Sequence, residues 1–497
     1  MWRASAVLEQ KRTWPRSRRT RDAVVRIASL IIVFAVPVKA AEQWIKLTTP
    51  HFEMYTTNRE RKAVEALQIF EEARGFFEEY SPSKTAPDIP VRIIAFKSDK
   101  EYKPYTPNPG AAAYYQRGHR RDYIVMQELG PDFYAGAIHE YTHLFIEHLG
   151  LTLPLWLNEG LADVYSSLQP KGKQLMIGAP PPGRLEALRA LPPLELRQLL
   201  SVNQESPYYT KPEQMAQFYA ESWALAHMLS LGKNYKSRFP QFLLSVSEGK
   251  GVEERFEEVY HKSLSEVALD LHNYFSQGTI TVALFNTHLD RKELEPEVST
   301  PAPFEIDLVL ADLLSTHPQT AAEARSRLTQ LAREMPDNPE VQTSLGYLSW
   351  QEGRLDEAKQ HFENALREGS KDPQMMFQYA GMLRVSGGPP ERILSLLQQA
   401  IAIKPDLQDA RFTLGMEAVN QGQWAMALSA LTPITTVKAD RAFAFFYAKA
   451  YCDWKLGNAS EAHRQGDLAR QYAQKPEEKA RVTQFLEHLD SSPEAPR

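Results

Sequence analysis

One cysteine, Cys452, occurs in 497 residues. No intramolecular disulfide can form, and any metal site has to be built from histidines and carboxylates. A surplus of charge of one sign is also missing: 57 Lys and Arg stand against 62 Asp and Glu, a formal net charge of -5. That balance argues against a nucleic-acid binder and against a protein that coats anionic membranes. The apolar run near the start, Ile27 to Val38, is too short to cross a bilayer comfortably as a helix. What is present is an ordinary globular composition, 43% apolar, 10% aromatic and 24% charged, on a chain long enough for two or three cores.

Lys11, Arg12, Arg16, Arg18, Arg19, Arg21 and Arg26 precede that apolar run, and Val38-Lys39-Ala40 followed by Ala41 gives the small-residue pattern of a cleavage site. The reading is a signal peptide over residues 1–41, placing the mature chain in the periplasm or cell envelope with no stable transmembrane span. An uncleaved anchor is the alternative. Strands are expected at Phe52 to Tyr55, Pro90 to Phe96 and Tyr123 to Met126, with a helix over Arg59 to Tyr80. Helices follow at Pro131 to Leu149, opened by Gly130-Pro131 and stopped by Gly150, and at Leu155 to Leu168, closed by Pro170 and Gly172. Further helical periodicity runs through Leu185 to Leu200, Met215 to Leu231, Phe239 to Val246 and Leu264 to Phe275. Residues 42–288 thus read as an α+β domain. Residues 289–303, rich in charge and proline, read as a linker, and 489–497 as a disordered tail.

His139-Glu140-Tyr141-Thr142-His143 puts two imidazoles four residues apart on a helix, so both project from one face at a separation one ion can bridge. Glu140, one position round, is the natural general base toward a metal-activated water. A catalytic zinc takes three protein ligands and keeps one position open. Glu147 lies two turns beyond His139, about 12 Å along the axis, too far to share the ion, and His148 points elsewhere. Glu159, on the next helix after a reversal over Leu151 to Leu153, is the expected third ligand. Asp163, four residues on, is placed to accept a hydrogen bond from a ligand histidine and fix its tautomer.

HEYTH followed by Leu157-Asn158-Glu159-Gly160-Leu161-Ala162-Asp163 resembles the gluzincins, the peptidase MA-like zinc metallopeptidases. The resemblance implies a zincin-like fold, Zn2+ held by His139, His143 and Glu159, Glu140 as catalytic base, and Asp163 as the orienting acid. Fifteen residues separate His143 from Glu159, fewer than in better-known members, which implies a tighter loop. It also implies that Phe218 to Leu225 closes the cleft, making Tyr219 an oxyanion candidate; a buried packing role is the alternative. Gly110 to Arg117 falls where these enzymes run a substrate-binding edge strand, and its lack of a glutamate favours an endopeptidase over an aminopeptidase. His119, Arg120 and Arg121 read either as an anion clamp or as a solvated basic turn.

After the linker, Gly346, Ala380, Gly415 and Ala450 recur every 34 or 35 residues, and Ala358, Ala427 and Ala462 keep the same register. Leu345-Gly346, Ala358, Phe362, Ala365 and Pro405 resemble tetratricopeptide repeats, which implies an all-α solenoid over residues 304–488 with a groove for a protein partner. The functional expectation is an exported zinc peptidase whose repeats recruit a substrate or partner. A cell-envelope scaffold without turnover, in which the repeats do the work, is the alternative.

Overall fold

The computed structural model describes residues 43–80, 91–107, 110–118, 121–247, 251–276, 280–286, 294–435, 437 and 439–491. The expected signal peptide, His119 and Arg120 lie outside them. The first elements are β1 (Ile45–Thr48), β2 (Phe52–Thr56), α1 (Glu60–Tyr80), β3 (Val91–Ala95), α2 (Asp99–Tyr102), β4 (Ala113–Gln116) and β5 (Asp122–Met126). Then come α3 (Pro131–His148) and α4 (Leu155–Ser166), the hairpin β6 (Gln169–Lys171) and β7 (Gln174–Ile177), and the short helices α5 (Arg184–Ala190), α6 (Leu196–Ser201) and α7 (Pro207–Thr210). α8 (Pro212–Leu231), α9 (Phe239–Ser247), α10 (Val252–Tyr260), α11 (Leu264–Ser276), β8 (Ala283–Asn286) and β9 (Glu297–Ser299) complete the front part.

Six strands form one sheet in the order β4-β5-β3-β2-β1-β9. β2, β3 and β5 run parallel, while β4 is antiparallel to β5 at one edge and β9 antiparallel to β1 at the other. Alternation along the strands divides its two faces. Phe52, Met54, Val91, Ile93, Ala95, Ile124 and Met126 pack with the buried faces of α1 and α3. Tyr55, Ile94, Tyr123 and Val125 belong to a second cluster on the opposite side.

That second cluster is completed by Ile306, Val309, Leu310 and Leu313 of α12 (Pro303–Ser315), so the first helix of the array covers the back of the sheet. Polar contacts fix it there. Tyr55 Oη donates to Glu305 (2.7 Å) and Tyr123 Oη bonds Asp312, whose other oxygen accepts from Ser344 Oγ within the array (2.7 Å). The stretch expected to be a linker therefore carries β9 and runs directly into a docked helix. Its strand is three residues long with all side chains exposed, so no hydrophobic alternation marks it; backbone pairing with β1 makes it. Gln169 to Ile177, read only as a helix stop, instead builds the β6-β7-β8 sheet, and Leu185 to Leu200 is two helices, separated at Leu191 to Glu195.

Beyond α12 the chain is helical throughout its described residues: α13 (Ala321–Glu334), α14 (Pro339–Gln351), α15 (Leu355–Arg367), α16 (Pro373–Val385), α17 (Pro390–Ile403), α18 (Gln408–Asn420), α19 (Trp424–Leu431), α20 (Ala439–Lys455), α21 (Ala459–Tyr472) and α22 (Pro476–Ser491). The small residues sit where helices touch: a Cβ on Gly346 would lie 2.7 Å from the Phe362 ring, and one on Gly415 2.5 Å from Leu431. Asn338 and Asp372 cap α14 and α16 through their side chains. The last helix reaches Ser491, so the first residues of the expected tail are helical. No described helix is long and apolar enough to cross a membrane.

Candidate metal centre

α3 and α4 carry the site. Gly130-Pro131 starts α3, and the loop at 149–154 reverses the chain so that α4 packs back across it. Gly160 lets α4 settle against α8, since a Cβ there would lie 2.3 Å from the Ser222 carbonyl oxygen and 2.7 Å from Ala226 Cβ. Trp156, Leu157 and Leu161 on α4 and Trp223, Leu225 and Ala226 on α8 are buried in the same core.

This packing brings His139, His143 and Glu159 together. The two Nε2 atoms are 3.1 Å apart, and Glu159 Oε2 lies 3.3 Å from His139 Nε2 and 3.6 Å from His143 Nε2. Zinc–nitrogen and zinc–oxygen bonds of about 2.0–2.1 Å at tetrahedral angles require ligand atoms about 3.3 Å apart. The opposite ring nitrogens face acceptors: His139 Nδ1 meets Asp163 Oδ1 at 3.1 Å, and His143 Nδ1 meets Asn158 Oδ1 at 3.2 Å. With the hydrogen on Nδ1, each ring turns its Nε2 lone pair toward the other ring and toward Glu159. Glu159 Oε2 is buried and faces both imidazoles. Two ring nitrogens and one carboxylate oxygen converging at these separations fit a cation.

A proton is the competing occupant. Burial opposes charge on His139, yet the Asp163 and Glu159 carboxylates push its pKa up to about 10. Burial likewise works against the Glu159 carboxylate, but the two imidazoles bring it down to about 2. Glu140 differs from its neighbour: desolvation raises its pKa above the usual carboxylate range, although His139 and His143 pull the other way. Its Oε2 accepts the Tyr115 backbone N–H at 3.1 Å, tying α3 to edge strand β4.

Three contributors carried no sequence signal strong enough to find them. Asn158 orients His143. Tyr209, on the four-residue helix α7, donates its hydroxyl to Glu159 Oε1 at 3.1 Å, leaving Oε2 to face the imidazoles. Arg184 Nε donates to Asp163 Oδ2 at 2.6 Å. Tyr219 lies one layer further out, its ring 4.9 Å beneath the Arg184 guanidinium and 6.3 Å from the Tyr209 ring. Burial, then the nearby Glu159, pushes its hydroxyl pKa up. Glu147 stays exposed and pairs with Arg117, and His148 Nε2 sits 2.8 Å from the buried Asp122. Arg121 contacts Glu53 at 3.2 Å, which occupies the guanidinium in the sheet.

Residues 319–376, spanning α13 to the start of α16, match the family model described as tetratricopeptide repeat. The chain is 24% identical over 180 residues to the peroxisomal targeting signal receptor of Saccharomyces cerevisiae, a match covering 34% of this chain and 29% of that receptor's length. Similar solved structures include YrrB, described as a TPR protein with an unusual peptide-binding site (21% identity, 36% of this chain and 90% of that one, TM-score 0.31). PilF of Pseudomonas aeruginosa is another (15% identity, 39% of this chain and 97% of that one, TM-score 0.28). The helical array that follows the sheet carries tetratricopeptide repeats.

Proposed function

We propose that the front domain is a zinc-dependent peptidase and that the repeats bring it a protein substrate or partner. The observation that carries the first half is the convergence of His139 Nε2, His143 Nε2 and the buried Glu159 Oε2, three potential ligand atoms spaced as the edges of a zinc tetrahedron. Zinc, when bound, supplies Lewis acidity, polarising a carbonyl and acidifying a water. His139, His143 and Glu159 would hold the ion, with Asp163 and Asn158 keeping the two rings in the ligating tautomer. Glu140 follows His139 on the same helix, and a carboxylate at that position suits a group that takes a proton and returns it to a leaving amine. β4 lies at the sheet edge next to α3, where an extended peptide can pair with its main chain. By resemblance Tyr219 is the oxyanion candidate; Tyr209, whose hydroxyl reaches a ligand carboxylate, competes for that part. The basic and apolar residues 11–38 support export to the periplasm or cell envelope.

A second reading is favoured by a different observation. The family match falls inside the repeats, so the scaffold alternative, with a protein held in the solenoid and no turnover, has support from relatives, whereas the peptidase reading rests on site geometry. Incubating zinc-supplemented protein with a generic unfolded protein separates the two. Cleavage by the wild type that is lost in Glu140→Gln and on chelation supports the peptidase. An inert, zinc-loaded wild type leaves the scaffold.

A further inference from the structure

We infer that Arg184 is a positioning residue for the metal, acting on His139 through Asp163; the inference rests on the zinc reading above. The Asp163 side chain is 5% exposed and has two assignments: Oδ1 holds His139 Nδ1 and Oδ2 receives Arg184 Nε at 2.6 Å. A carboxylate bonded at one oxygen alone can rotate about its Cβ–Cγ bond; bonded at both, its plane is fixed, and with it the plane of the imidazole it orients. Arg184 is itself clamped. It is the first residue of α5, follows Gly183 in the left-handed region at φ 79°, and its backbone N–H bonds the Pro181 carbonyl. The turn Pro181-Pro182-Gly183-Arg184 places the side chain against α4, and the Tyr219 ring lies 4.9 Å from the guanidinium carbon. Tyr219, Arg184, Asp163 and His139 form one continuous line of contacts ending at a ligand atom.

An arginine suits this place and a lysine does not. Only a planar guanidinium can donate edge-on to Oδ2 while presenting its face to an aromatic ring. The positive charge also offsets one of the carboxylates that crowd the centre, Glu159, Asp163 and Glu140. Outer partners of ligand histidines are worth about 10–100-fold in metal affinity, and Arg184 acts at one further remove, so the lower end of that range is expected.

The test uses the full chain and two metals. Zinc affinity is measured by competition with a chromophoric chelator for wild type, Arg184→Ala, Arg184→Gln and Arg184→Lys, and the visible spectrum of the Co2+ forms reports ligand geometry. The expected result is roughly a tenfold weakening in Arg184→Ala with a shifted Co2+ spectrum, and smaller changes in Arg184→Gln, which keeps a donor. A purely structural role would lower the urea midpoint of the metal-free variants yet leave zinc affinity and the Co2+ spectrum as in wild type, and that outcome overturns the inference. Should Arg184→Ala fail to fold, Arg184→Gln and Arg184→Lys carry the same test. A folded wild type that takes up no zinc defeats the metal reading itself. A wild type that binds zinc together with variants that bind it equally well defeats only the part assigned to Arg184.

Discussion

Gly160→Ala is the most informative single change to the scaffold around the site. Gly160 follows the proposed ligand Glu159 and lies where α4 packs closely on α8, so that an added Cβ would sit 2.3 Å from the Ser222 carbonyl oxygen and 2.8 Å from its carbon. An ordinary carbon–oxygen contact is about 3.3 Å, so α4 has to move by roughly 1 Å, and the obstacle is backbone that cannot rotate away. Overpacking of this kind costs about 1–3 kcal/mol. The better helix propensity of alanine returns about 1 kcal/mol. With a backbone obstacle the loss falls at the upper end, leaving a net destabilisation of about 2 kcal/mol. Gly381→Ala is the matched control: it is also mid-helix, in α16, but nothing lies within 4 Å of its added Cβ, so it should stabilise by up to about 1 kcal/mol. Urea unfolding followed by tryptophan fluorescence reads both, and zinc affinity reads the displacement of Glu159. If Gly160→Ala matches wild type, or gains stability as Gly381→Ala does, the close-packing argument for the placement of Glu159 is wrong.

Other expectations follow from the same contacts. Burial disfavours charge on Glu53, yet Arg92, Arg121 and Lys46 around it hold its pKa well below the usual carboxylate range. A depressed folded-state pKa contributes stability above the unfolded value of about 4.3 and loses it as pH falls. Glu53→Gln, which strands the buried Arg92, should therefore cost about 3 kcal/mol at neutral pH in denaturant titrations, with the gap to wild type closing below about pH 4; a pH-independent gap would contradict this. Asp312→Ala removes the acceptor for Tyr123 Oη and Ser344 Oγ and should lower unfolding free energy by about 2 kcal/mol. Tyr209→Phe frees Glu159 Oε1 and should weaken zinc binding by up to about tenfold in chelator competition, an effect that Tyr208→Phe should lack.

The site and the array were legible in the sequence for different reasons. His139 and His143 lie on a helix whose start and stop are marked by Pro131 and Gly150, and helical geometry alone fixes their relation. Glu159 required a reversal of direction over a short loop, which Pro154 makes readable. The repeat period showed because each unit places its small residue where a neighbouring helix makes contact, as at Gly346 against Phe362. What stayed hidden has no local pattern. Tyr209 and Arg184 reach the site from a run of short helices between α4 and α8, where tertiary placement decides which side chains arrive. β9 escapes notice because three exposed residues beside prolines form a strand only when the edge of β1 is there to pair with them. The second sheet escapes likewise, since β8 joins β7 from more than a hundred residues away.

The central claim is that His139, His143 and Glu159 bind zinc, and the direct measurement is metal content per chain in purified, zinc-supplemented protein, wild type against Glu159→Ala. Near one zinc per wild-type chain, falling sharply in Glu159→Ala while the circular dichroism of both proteins agrees, is the predicted result. A correctly folded wild type without stoichiometric zinc, or a Glu159→Ala variant that holds it as tightly, would contradict the account.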